Sequence, residues 1–137
     1  MRIAMVILML VEGSWCWASS EEKQSEVKLT SGKPIPIQIH AAPGWKLNLK
    51  APSWLSLYQK SSLGKFQLMY QFRKDQLQNM ILSPLQDQGH YQLRGTLYYC
   101  KKGERSVCQL ESYDFIIDSD SSVQRARLSI ESELKND

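Results

Sequence analysis

The stretch LYYCKKGERSVCQLESYDFII, Leu97 to Ile117, constrains the fold more than any other part of the chain. Two segments with a period of two, the signature of half-buried strands, each carry a cysteine where they meet a short loop. If Cys100 and Cys108 lie directly opposite on antiparallel strands, paired residue numbers sum to a constant. Tyr99 then faces Gln109, Tyr98 faces Leu110, Leu93 faces Phe115 and Tyr91 faces Ile117. The other side carries Arg94 opposite Asp114 and Thr96 opposite Ser112. An apolar set on one face and a charge pair on the other is what a half-buried hairpin requires, and a slip of one residue would mix them. The loop between the cysteines, KKGERSV, is mostly polar and basic, and Gly103 can take the positive φ a turn requires.

The same period recurs elsewhere. Val27–Leu29 opens it, and Ile35, Ile37 and Ile39 alternate with Pro36, Gln38 and His40. Pro34 and Pro36 cannot donate to a ladder, which predicts a strand that starts at a sheet edge. Phe66, Leu68, Tyr70 and Phe72 alternate in their turn, and Ala126, Leu128 and Ile130 predict a last strand. Residues 42–53 read as an irregular connection with a short strand around Leu47, and residues 75–82 as a helical turn or a weak strand. Many short strands, little helix and no repeat predict an all-β fold, an immunoglobulin-like antiparallel β-sandwich, with a small barrel as the alternative.

The amino terminus predicts the compartment. Arg2 gives a positive start, and Ile3 to Val11 is an unbroken apolar run, shorter than the roughly 20 residues a membrane span needs. Small Cys16 and Ala18 stand where a signal peptidase reads, so residues 1–18 read as a signal peptide, 19–25 as a flexible lead and 26–134 as the domain. A lipoprotein signal fits less well, because bulky Trp15 precedes Cys16. The expected localisation is periplasmic or secreted, without stable membrane insertion after cleavage. Removing Arg2 and Glu12 leaves the net charge at +3. That charge is mild and scattered, which argues against nucleic acid as a partner. Of three cysteines, cleavage leaves Cys100 and Cys108, an even number in an oxidising compartment, and a disulfide between them is the first expectation.

Catalytic motifs are few. There is no glycine-rich phosphate loop, no GxSxG and no HExxH, and only His40 and His90 are available to a metal, so neither a metal nor a cofactor is expected. The cysteine pair is the chemistry-bearing candidate. Lys101, Lys102 and Arg105 favour a thiolate over a thiol, lowering a free-cysteine pKa of about 8.5. Tyr98 shares a face with Cys100 and is placed to shield the sulfur, whereas Tyr99 points to the core. His90 has the parity of Cys100 but lies too far along the strand to act as its base. Trp45, Trp54 and Tyr58 suit a core or a recognition surface, and Asn48 suits a turn.

The pattern QGHYQLRGTLYYCKKGERSVCQLESYDF, Gln88 to Phe115, resembles the amino-terminal periplasmic domain of the disulfide reductase DsbD, and so does PGWKLNLKAPSW, Pro43 to Trp54. A related domain ends NHL-repeat, thioredoxin-like proteins. The resemblance spans roughly Val27 to Ile117. It implies an immunoglobulin-like sandwich whose redox cysteines match Cys100 and Cys108, exchanging electrons with thioredoxin-like or disulfide-reductase proteins. It also implies that the loop Gln59 to Lys65 caps the cysteines. The chain departs from the family in its longer inter-cysteine loop and in having no transmembrane electron-supplying domain. Three functions follow as expectations: thiol–disulfide exchange through the pair, a non-catalytic interaction module with a structural disulfide, and a small-ligand binder, which no convergent polar cluster supports.

Overall fold

The computed structural model describes residues 23–103 and 107–134; the leader read over residues 1–18 and the loop residue Arg105 lie outside them. Among the described residues nine strands follow one another: β1 (Lys23–Thr30), β2 (Ile35–His40), β3 (Trp45–Leu47), β4 (Trp54–Lys60), β5 (Phe66–Arg73), β6 (Met80–Leu82), β7 (Gly89–Lys101), β8 (Cys108–Asp120) and β9 (Leu128–Glu131). A single 3-10 turn, Lys74–Gln78, separates β5 from β6, so the segment read as helical turn or weak strand holds one of each.

Two sheets make an all-β sandwich rather than a closed barrel. The larger is ordered β1-β8-β7-β4-β5, with β3 also paired to β7, and the smaller is β6-β2-β9. Their inner faces meet through Leu29, Leu55, Leu57, Leu93, Leu97 and Ile117 on one side and Ile35, Ile37, Leu82, Leu128 and Ile130 on the other, all fully or almost fully buried. Each such side chain contributes roughly 1.5–3 kcal/mol through removal from water, and the alternation seen in the sequence is this inner face.

Three expectations are corrected. The sheets are mixed rather than purely antiparallel, because β1 runs parallel to β8 and β2 parallel to β9. β2 is the middle strand of its sheet, not an edge. Pro34 precedes the strand, and Pro36 is tolerated because the pairing with β9 begins only at Ile37, which leaves Pro36 a ladder partner on one side alone, Ile81 of β6. Finally, Lys23, Gln24 and Ser25, read as part of a flexible lead, already pair with Tyr113, Asp114 and Phe115 of β8.

Candidate functional site

The site is the end of the longest hairpin. β7 and β8 pair over twelve rungs from Gly89↔Ser119 to Cys100↔Cys108, in the register inferred from the cysteines. Inner-face Tyr91, Leu93, Leu97 and Tyr99 are buried, and Asp114 opposite Arg94 sits on the other face. That carboxylate is itself buried and accepts a 2.9 Å hydrogen bond from the Gln92 side-chain amide. Past the cysteines, Lys101 N–H donates to Val107 O at 2.8 Å, and Gly103 turns the chain with φ 82°. The Lys101–Val107 rung is the hydrogen-bonded kind, which makes the cysteine rung the kind in which backbones come closest. Cys100 and Cys108 form a disulfide there, with S–S 2.07 Å and Cα–Cα 3.9 Å.

Directly paired residues project to the same face of a sheet. β3 pairs with β7 on the side away from β8, with Lys46 opposite Cys100, so Lys46, Cys100 and Cys108 form one row across three strands on the outer face. Cys100 is half-buried and Cys108 exposed. Tyr98, on the same face, is half-buried opposite exposed Leu110. Its backbone is held from the side: Tyr98 N–H donates to Ser53 Oγ at 3.0 Å and Tyr98 O accepts from Asn48 N–H at 2.8 Å. Asn48 makes its expected turn, its Oδ1 accepting from Lys50 N–H at 3.0 Å. The bend brings the segment after β3 alongside Cys100. An open groove of about 520 Å³ lies between them, lined by Lys46, Asn48, Leu49, Lys50, Cys100 and Lys101 among others. Lys102 is exposed at the turn, its N–H on Gly44 O at 2.8 Å.

Beneath the disulfide the inner face carries a hydroxyl chain. Tyr99 Oη lies 2.9 Å from Tyr113 Oη, Tyr113 donates to Glu111 Oε1 at 2.6 Å, and Glu111 Oε2 accepts from Glu133 N–H at 3.1 Å. Burial pushes the Tyr99 hydroxyl up to about 12, against the opposing effect of its hydrogen bond with Tyr113. Burial also pushes Tyr113 up, reinforced by its bonds to Glu111 and Tyr99. Trp45, opposite Lys101, closes this end of the core, and its indole Nε1 is buried without a hydrogen-bond partner.

The structure thus gathers Cys100, Cys108, Tyr98, Lys101 and Lys102 at one end of the molecule. It does not bring the Gln59–Lys65 loop there. Antiparallel pairing of β4 with β7 sets Trp54 against Thr96 and Gln59 against Tyr91, so that loop closes the opposite end of the sheet and does not cap the sulfurs. His90 is at that end too, its Nδ1 2.6 Å from Asp118 Oδ1. Of the aromatic candidates, Trp45 is core, and Trp54 and Tyr58 are half-buried. Lys46 was not singled out in the sequence; what marks it is its place in the alternation WKL opposite a cysteine, which appears only once β3 is paired. Among the described residues no group of three or more His, Cys, Asp and Glu is placed to hold a metal ion. Nor is any helix there long and apolar enough to cross a membrane. Neither a family model nor a curated protein matches the chain.

Proposed function

We propose that the protein is a thiol–disulfide exchange module of the periplasm or of the secreted state, passing electrons between a thioredoxin-like partner and client proteins through Cys100 and Cys108, as its resemblance to the DsbD amino-terminal domain implies. The observation that carries this reading is the position of the bridge: on the outer face, at the open end of a hairpin, with Cys108 exposed and a groove beside Cys100. Exchange requires only that a thiolate reach one sulfur and displace the other. A protein of this design needs little more than rigid presentation of the pair, and β7 and β8 supply it.

The competing reading is an interaction module whose disulfide is a staple. The cross-link spans a sequence separation of 8 residues, worth about 2–3 kcal/mol in loop entropy. It lies at the end of a hairpin already paired over twelve rungs, where a staple has least to hold. The reduction potential separates the two. A value near about −270 mV supports exchange, and one well below about −300 mV makes the bond a staple. Trapping a mixed disulfide between a single-cysteine variant and a thioredoxin-like protein would identify the partner. If none forms with any such protein, the exchange reading is wrong.

A further inference from the structure

The surroundings of the two sulfurs differ. On the Cys100 side, β3 and the bend after it bring Lys46 and Lys50 to the groove, where Lys101 of β7 joins them, and no carboxylate is among the described residues that line it. On the Cys108 side, β1 pairs with β8 only from Tyr113 onward, leaving the edge of Cys108–Ser112 without a strand neighbour among the described residues. A thiolate is an anion, and it attacks a disulfide along the extension of the S–S bond. Attack on Cys100 Sγ therefore comes over β3 and the lysines, whereas attack on Cys108 Sγ comes over the edge of Cys108–Ser112, on the side away from that groove.

Building on the exchange reading above, we propose that Cys100 is the sulfur attacked, that Cys108 is the leaving thiolate, and that the reacting partner presents an acidic surface around its thiol to the Lys46–Lys50 groove. The incoming thiolate forms a bond to Cys100 Sγ, the Cys100–Cys108 bond breaks, and its electron pair stays on Cys108 Sγ. Cys108 is exposed, so water solvates the thiolate until it takes a proton. A second thiolate then attacks the partner's sulfur in the mixed disulfide and releases Cys100 as thiolate. Two thiols are oxidised to one disulfide, and the protein gains two electrons and two protons. Lysine fields of this kind act on the encounter rate more than on the final equilibrium.

Two small thiols of opposite charge test this on the oxidised full chain: glutathione, net anionic, and cysteamine, cationic. Each reduction rate is corrected for thiolate fraction and normalised to the rate of the same thiol with the uncharged bis(2-hydroxyethyl) disulfide. The expected result is a preference for glutathione of about three- to tenfold at low salt, shrinking toward unity in about 0.5 M salt. The double variant K46E/K50E, both positions being exposed, is expected to reverse the preference while keeping its urea midpoint. Acid-quenched peptide mapping is expected to find the first glutathione adduct on Cys100. Equal rates for the two thiols, or an adduct on Cys108, would overturn the proposal and leave the exchange reading standing. Failure of both thiols to reduce the bond would overturn the exchange reading and this proposal with it.

Discussion

Tyr99 and Tyr113 share a hydrogen bond of 2.9 Å on the inner face, directly under the hairpin that carries the disulfide. Both hydroxyls titrate above the ordinary tyrosine range in the folded chain, because burial disfavours the phenolate. The unfolded chain ionises near pH 10, before the folded one does, so it binds fewer protons above that pH. The stability these groups contribute is therefore fully present below about pH 10 and is lost as pH rises further, by about 1.4 kcal/mol per group per pH unit. Tyr70, also raised by burial, adds to the slope in the same direction. Urea unfolding between pH 8 and 11 checks this. Tyr113→Phe is expected to reduce the alkaline slope and to cost about 1–3 kcal/mol at neutral pH, since it deprives the buried Tyr99 hydroxyl of its partner. An unchanged slope would mean that the pair does not titrate as a buried unit.

Two glycines in β7 and its turn should behave in opposite ways. A Cβ on Gly95 would meet Trp54 O at 2.1 Å and Leu55 Cα at 2.8 Å, backbone atoms of β4 that cannot swing aside. Gly95→Ala must push β4 away from β7 and is expected to cost about 3 kcal/mol or more. At Gly103 nothing lies within 4 Å, and only the φ of +82° opposes a side chain. Gly103→Ala is expected to cost about 1 kcal/mol. Chemical denaturation of both variants tests the contrast, and equal losses would contradict it.

The hairpin was legible because a cysteine pair and an alternating pattern constrain the same register independently. Tyr91, Leu93 and Tyr99 could be assigned to the core, and Arg94 opposite Asp114 to the other face, from parity alone. What escaped was non-local. Nothing in Val27–Leu29 or Ala126–Ile130 says that its neighbour runs parallel, because parallel partners are joined through long connections without a turn signature. Pro36 signals a missing donor but not that β9 starts one residue later. The position of the Gln59–Lys65 loop follows from the direction of β4 against β7, not from its own residues.

β5 shows how a bulge hides inside an intact pattern. Phe66, Leu68, Tyr70 and Phe72 alternate with Gln67, Met69 and Gln71, yet the register shifts between Leu57↔Tyr70 and Tyr58↔Leu68, with Met69 unpaired. Tyr70 and Phe72 stay with the partners of the core face, whereas Phe66 and Leu68 pair with Lys60 and Tyr58 and are 44% and 58% exposed. Leu68→Lys is accordingly expected to change stability by less than about 0.5 kcal/mol. Leu57→Ala, at a fully buried site one strand away, is expected to cost about 2–5 kcal/mol. Because β5 is a sheet edge with apolar side chains, the lysine variant should also lower light scattering at high protein concentration. A large loss of stability in Leu68→Lys would place that side chain in the core after all.

The stability of the chain without its disulfide bears on function as well as on fold. The bridge is the last of twelve paired rungs, and the hairpin inner face is anchored by Leu93, Leu97 and Tyr99 independently of the sulfurs. The turn is also held by Lys101 N–H on Val107 O and Lys102 N–H on Gly44 O, neither of which involves a cysteine. Reduction therefore removes one constraint on a short loop, about 2–3 kcal/mol, and leaves the pairing that presents the thiols intact. The variant Cys100→Ser with Cys108→Ser is expected to unfold in a single urea transition lowered by that amount, with the β spectrum of the oxidised chain. A module that cycles between dithiol and disulfide must survive in both states. If the double variant proves unfolded at room temperature, the bond is holding the domain together and a cycle through the dithiol is excluded.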